Sequence, residues 1–265
     1  MDVSAYLHRI GLSVEDVTHS YEFLCRLQQA HIFCVPYENL DIVSGVPLSL
    51  EPDDIFDKVV GKGRGGYCFE LNCLYAHLLE ELGFRVRSFL GRFLRGVEGV
   101  PVRRHRLIGV ECEGNTYVCD VGLGQSAPRQ PLVLKEHLVQ EVCGEKYKFV
   151  RDELLGWVLY DLHQGEWRRY YSFTEDPQVE VDFLLPSFYC EKHPESPFNK
   201  GVMVAIKTPT GRKAINGADF KIFEQGENEQ LVHVEENISR ERLVALLKSE
   251  FGIVWSEAES VTMGG

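Results

Sequence analysis

The 265-residue chain reads as an α+β protein. Three patterns say so. Apolar residues recur at helical spacing up to Gly83, the pattern changes to strands and short turns from Phe84, and the chain closes on further strands followed by one helix. These changes mark a helical unit over 1–83, a strand-rich unit over 84–195 and a closing α/β unit over 196–265. Such a division suits a chain that is long for one domain.

The elements follow in order. VEDVTHSYEFLCRLQQAHIF carries Val17, Tyr21, Leu24 and Leu27 at helical spacing, with Ser13 as a cap for its start. VPYENLDI is an extended link, kept out of helix at Val35 by Pro36. A second helix is expected from Pro52 to Val60. The next has the clearest stripe, Leu71, Leu74, Tyr75, Leu78, Leu79 and Leu82, and Gly83 ends it. Strands are then expected in FRVRSFLGRFL, HRLIGVEC, TYVCDVG, KYKFVR, LLGWVLYDL and WRRYYSF, and turns such as EGN and HQGE point to an antiparallel sheet or small barrel. EVDFLLPSFYCEKHPESPF is helix-like or irregular. GVMVAIKT, RKAINGADFKIFEQ and LVHVEE are further strands, and ISRERLVALLKSEFG is a helix between Ser239 and Gly252.

The 44% hydrophobic content is ample for a packed core, and a net charge of -12 argues against a nucleic-acid partner. A local basic cluster can still hold a small anion. MDVSAYLHRIGLSVED lacks a signal-peptide pattern, and nowhere do about 18 apolar residues run together, so no membrane span and a cytoplasmic setting are expected. In that setting the eight cysteines should be reduced. None forms a CxxC pair, so no metal site is expected.

One cysteine stands apart. In RGGYCFELN, Cys68 lies at the front of the Leu71–Leu82 helix, where free backbone N–H groups and the helix dipole favour a thiolate. Gly65 and Gly66 let the chain turn sharply there. On local features alone, a small hydrophobe at a helix start and a reactive thiol are both open. A nucleophilic thiol needs a base, and the base needs an orienting group. Of nine histidines, His8, His19 and His31 sit with the first helices and His77 is well over a turn beyond Cys68. His137, His163, His193 and His233 fall in turns or on polar strand faces. His105 differs. It opens the strand HRLIGV directly before TYVCDVG, and two neighbouring strands can hold its imidazole beside the Asp120 carboxylate. Asp120 can equally be a turn residue before Gly122.

RGGYCFELN, RRHRLIGV and CDVGLG stand in the order and spacing of the arylamine N-acetyltransferases. VPYENLD and YYSFTEDPQVEVDFLLPSFYCEKHPESPF are also similar to segments of that family, so the resemblance runs from about residue 20 to about 200. It implies a Cys-His-Asp triad of Cys68, His105 and Asp120. The implied fold is an N-terminal helical bundle, a central antiparallel β-barrel and a C-terminal α/β lid, with a cysteine-protease- and transglutaminase-like catalytic core. The implied reaction carries an acetyl group from acetyl-coenzyme A to Cys68, then to the nitrogen of an arylamine, arylhydrazine or hydrazine. His105 would hold the thiolate as an ion pair, well below the free-thiol value of about 8.5, with Asp120 fixing its tautomer.

Coenzyme A needs a phosphate site. Gly122, Gly124, Gln125 and Ser126 form a glycine-rich turn able to offer N–H groups, and the resemblance sets this loop beside the cofactor. Arg103, Arg104 and Arg106 flank His105 and could meet phosphates, or they form a solvated strand face. The resemblance also implies that Glu38 and Arg64 pair to steady the loop of Cys68. Tyr37 and Leu123, where the family commonly has phenylalanine, would line the acceptor pocket. Rival readings are a papain- or transglutaminase-like enzyme, an amide synthase sharing the same motifs, and a binding protein without catalysis.

Overall fold

The structure, a computed structural model, describes residues 1–176, 178–224 and 229–255. Helix α1 (Val3–Arg9) starts at Asp2, whose carboxylate accepts from the Ala5 N–H. The next helix begins later than its periodicity suggests. Ser13 caps only the 3₁₀ turn Val14–Asp16, the backbone is extended at Val17, and α2 (Tyr21–Cys34) starts at Ser20, whose hydroxyl accepts from the Phe23 N–H. Val17 still packs against the core, but from extended chain. Pro36 then stops α2, and Tyr37–Glu38 (β1) and α3 (Leu40–Val43) follow. The helix expected from Pro52 is α4 (Pro52–Phe56), running into a π turn over Asp57–Gly61. Helix α5 (Cys68–Glu81) buries Leu71, Leu74, Tyr75, Leu78 and Leu79 and stops before Gly83, at φ 86°.

Eight strands come next: β2 (Arg85–Phe93), β3 (His105–Cys112), β4 (Asn115–Cys119), β5 (Leu132–Val133), β6 (Gln140–Val142), β7 (Glu145–Asp152), β8 (Gly156–His163) and β9 (Glu166–Phe173). They pair antiparallel in the order β5-β4-β3-β2-β9-β8-β7-β6, a nearly closed barrel. Three of its turns are two-residue loops. Glu113 and Gly114 (φ 48° and 75°) join β3 to β4, Cys143 and Gly144 (φ 50° and 80°) join β6 to β7, and Gln164 and Gly165 (φ 51° and 83°) join β8 to β9. Positive φ at both central residues matches the twist of the flanking strands.

A 3₁₀ turn (Glu180–Phe183) and α6 (Leu184–Lys192) lead to β10 (Met203–Thr208), β11 (Gly211–Asn216), β12 (Asp219–Glu224) and β13 (Gln230–Glu235). Helix α7 (Arg240–Phe251) closes them, between the Ser239 cap and Gly252 at φ 70°. RKAINGADFKIFEQ is therefore two strands folded at Gly217, and its last residue, Gln225, lies outside the described residues, as does the end of the closing unit from 256 on. The extended link has an unforeseen role. β1 pairs with β10 (Tyr37↔Ala205, Glu38↔Val204) and becomes the edge of a second antiparallel sheet, β1-β10-β11-β12-β13. Asn39 fastens this seam: its amide donates to the Phe198 and Gly201 carbonyls, both at 2.9 Å, and its oxygen accepts from the Met203 N–H at 2.7 Å.

Strand alternation separates the cores. On β3, Ile108 and Val110 join α1, α2 and α5 in one cluster, while Leu107 points into the barrel with Phe89, Phe149 and Tyr171. A third cluster packs α7 on the second sheet through Leu243, Leu247, Val204 and Ile215. None of the described helices is long and apolar enough to cross a membrane.

Candidate active site

Cys68 is the first residue of α5. Tyr67 before it is extended (φ -103°, ψ -174°), and the Glu70 carboxylate accepts from the Tyr67 N–H at 3.1 Å. The glycine pair is needed for close approach: a Cβ on Gly65 would overlap the Pro36 carbonyl, and the Glu38 N–H donates to the Gly66 carbonyl. The thiol ends up buried, 3.8 Å from the Arg104 carbonyl, on which the Cys190 thiol also converges at 4.0 Å.

His105 opens β3 and Asp120 follows β4, both on the barrel-facing side of the hairpin. Their Nε2–Oδ2 distance is 2.6 Å, with both side chains almost fully buried. Asn72, one turn after Cys68 on α5, locks helix to hairpin. Its amide donates to the Arg106 carbonyl at 2.6 Å and to Asp120 Oδ1 at 2.9 Å, and its oxygen accepts from the Val121 N–H at 2.9 Å. The Gly122 N–H gives Asp120 Oδ1 a further bond at 2.9 Å. A Cβ on Gly122 would stand 2.6 Å from the Cys68 Cα, so glycine lets the turn press against the helix start.

Nε2 of His105 is committed to Asp120, so Nδ1 is the ring nitrogen left for the thiol, and the imidazole and sulfur act on each other electrostatically. Burial opposes the imidazolium, but the Asp120 carboxylate and the Cys68 sulfur outweigh it and lift His105 to about 10. Burial pushes the Cys68 thiol up, against the pull of His105. Burial thus opposes the thiolate that the free N–H groups of the helix start favour. The helix end is buried, and His105 is the basic group beside the thiol.

Behind Cys68 lies a buried charge cluster. Arg64 Nε donates to Glu38 Oε1 at 2.9 Å, as the resemblance implied, and its Nη2 donates to Asp41 Oδ1 at 2.8 Å. Lys58 supplies the second cation, 2.6 Å from Asp41 and 2.8 Å from Glu70. Burial works against its ammonium, but Glu70, Glu38 and Asp41 together raise it. Sequence reading missed Lys58 and Asn72. Only Asn72 carried a signal, since a residue four after Cys68 lies on the same helix face.

A cavity of about 390 Å³ opens over Cys68 and His105. Tyr37, Leu123, Gly124 and Arg104 line it, with Phe93, Phe198 and Val204, and Gln125 and Ser126 stand on its rim. The loop offers fewer free donors than expected, because the Gly122 N–H is taken by Asp120 and the Ser126 N–H by the Leu123 carbonyl. Arg106 is a clear correction. Alternation turns it away from His105, and it is 1% exposed, with both terminal nitrogens on Glu180 at 2.7 Å and its guanidinium 4.3 Å above Phe183. It is neither a phosphate ligand nor a solvated residue. Among the described residues Cys73, His77 and Glu180 bring three possible metal-ligand atoms within 4.8 Å of one another, but Glu180 is already held by Arg106.

A buried thiol at a helix start, facing an imidazole backed by a carboxylate, defines a protein of the thiol-dependent acyl-transfer class. Comparison with known proteins narrows this. The model of a family described as N-acetyltransferase matches residues 20–260. An arylamine N-acetyltransferase of Mycobacterium tuberculosis is 35% identical over 238 residues, covering 87% of this chain and 83% of that protein. The solved structure of the arylamine N-acetyltransferase from M. tuberculosis is similar at TM-score 0.87 and 33% identity, over 96% of this chain and 93% of that one. That of the Mycobacterium marinum arylamine N-acetyltransferase in complex with CoA has a TM-score of 0.85 and 32% identity, over 95% and 93% of the two chains. The chain belongs to the arylamine N-acetyltransferase family.

Proposed function

We propose that the protein transfers the acetyl group of acetyl-CoA to the nitrogen of arylamines, arylhydrazines or hydrazines, in two half-reactions through a thioester on Cys68. The reading is carried by one observation, the buried Cys68–His105–Asp120 arrangement at the floor of a cavity with apolar walls. In the first half, the Cys68 proton passes to His105 and the sulfur attacks the thioester carbonyl. The tetrahedral intermediate collapses with loss of coenzyme A thiolate, which takes the proton from His105. Exchange of one thioester for another is nearly balanced in energy. In the second half, the amine nitrogen attacks acetyl-Cys68 and its proton goes to His105 as the sulfur leaves. Asp120 keeps the ring in one tautomer and stabilises the imidazolium formed in each half.

Membership of the family and the relatives named for arylamine acetylation support this reading. Phe93, Leu123 and Phe198 give an aromatic acceptor apolar surface, and Tyr37 packs on Gly124 at the same wall. Mixing the protein with acetyl-CoA should raise its intact mass by one acetyl group, and an added arylamine should remove that group and appear as its amide. A protein that is acetylated but passes the group to none of a panel of anilines and hydrazines would overturn the acceptor half of the reading.

A further inference from the structure

Next to the Cys68 cleft lies a second cavity, of about 380 Å³, that the chemistry above does not use. The two meet at Arg95, Gln125 and Ser126, which line both. The second is walled by the barrel turns at 144–147 and 161–168 and by the start of β11, and its walls are charged.

Its carboxylates are outnumbered. Asp161 Oδ2 takes Arg95 at 2.8 Å and Arg168 at 3.1 Å. Glu145 takes Lys207, from behind the wall, at 2.8 and 3.0 Å, and lies 3.0 Å from Arg129. Arg212 has Glu229 to itself, at 2.6 Å, and Lys146 stands on the rim. Four cations thus share two carboxylates, a local positive surplus in a chain of net charge -12. Several donors are unclaimed as well. Nε of Arg95 and Nε of Arg168 are buried without a hydrogen-bond partner, and Arg129 Nη1 is near Glu145 without lining up as a hydrogen bond. Burial, and after it the neighbouring Arg129, push the Lys207 ammonium down to about 8 despite Glu145. Buried guanidinium N–H groups without acceptors are an anion site by their chemistry.

We propose that this basin holds the phosphates at the nucleotide end of coenzyme A, with Arg95, Arg129 and Arg168 as principal donors and Lys146 and Arg212 at the rim. The inference rests on acetyl-CoA being the donor. The pantetheine arm then crosses Gln125 and Ser126 to bring the thioester to Cys68, taking the place of the Gln125–Arg212 contact that spans the neck. Asp161 Oδ1, buried and without a partner, is suited to a ribose hydroxyl. Arg104, which flanks His105, stays in the acyl cleft, 5.9 Å from the Phe93 ring and 5.7 Å from that of Phe198.

Two acyl donors separate the sites. p-Nitrophenyl acetate carries an activated acetyl group without phosphates, so it needs Cys68 and not the basin. Arg168→Glu, at a side chain 38% exposed, should raise the acetyl-CoA concentration giving half-maximal Cys68 acetylation about tenfold or more. Its acetylation by p-nitrophenyl acetate should stay within about twofold of wild type. Lys146→Glu, at a rim position, should act in the same direction and guards against a folding defect. The proposal is overturned if both variants keep the wild-type response to acetyl-CoA, or if a folded variant loses both donors alike. Should the wild type react with p-nitrophenyl acetate and never with acetyl-CoA, the donor reading itself fails and the phosphate site with it.

Discussion

Replacing Asn72 by alanine tests what holds the thiol and its base in one register. Asn72 is fully buried, and its three hydrogen bonds all cross from α5 to the hairpin, at 2.6 to 2.9 Å. Truncation strips the Arg106 carbonyl and the Val121 N–H of that partner and leaves Asp120 Oδ1 with the Gly122 N–H. Each buried group left unsatisfied costs about 1–3 kcal/mol, and such effects are not additive, so we expect a loss of about 3–5 kcal/mol in stability. A second effect falls on chemistry. Asp120 loses a donor that fixes its orientation, and His105 follows it, so acetylation of Cys68 should slow by about 10- to 100-fold, as for a misplaced catalytic group. Urea unfolding gives the first quantity and pre-steady-state acetylation the second. Asn72→Asp should be worse than alanine, because it sets a second carboxylate 2.9 Å from Asp120. A stability change under about 1 kcal/mol with an unchanged acetylation rate would mean that Asn72 does not hold α5 to the hairpin.

Three further variants have expected outcomes. In His105→Ala the Cys68 thiol loses the pull of His105 and burial remains the largest influence on it, so its alkylation should titrate above the ordinary value of about 8.5 and slow at least about tenfold at neutral pH; a profile matching wild type would remove His105 from thiol activation. The same variant gives a stability test. His105 is raised from 6.5 to about 10, so its contribution is complete below about pH 6.5, and the gap between wild type and variant should narrow as pH rises through about 10. Lys58→Met leaves Arg64 alone against Glu38, Asp41 and Glu70 and should lose about 3–5 kcal/mol in urea unfolding; a loss below about 1 kcal/mol would mean these carboxylates are solvated. Leu123→Phe should reorder anilines of different bulk by roughly 10- to 200-fold while Cys68 acetylates at the wild-type rate, and slowed acetylation with unchanged ranking would move the acceptor pocket elsewhere.

What could be read from the residues alone was what depends on near neighbours. The Leu71–Leu82 stripe fixes α5, the glycine pair fixes its start, and the EGN turn makes β3 and β4 a hairpin that sets His105 beside Asp120. The failures were of two kinds. Ser13 and Ser20 both have cap chemistry, and which one starts α2 is decided by extended backbone at Val17. The other failures are contacts made across long stretches of chain. VPYENLDI becomes an edge strand only because Met203–Thr208 lies beside it. Arg106 is buried among Phe183, Ser88 and Glu180, the last of them 74 residues further along the chain. The basic basin joins turns at 144–147 and 161–168 to Arg212, none of which carries a local signature of an anion site.

Of the eight cysteines, Cys68 alone is expected to carry the acyl group. Brief exposure to acetyl-CoA followed by peptide mapping locates it. The acetyl group should be found on Cys68 and should disappear when an arylamine is added. Acetyl found instead on Cys73, Cys119 or Cys190, the last sharing the Arg104 carbonyl with Cys68, would remove Cys68 from the chemistry.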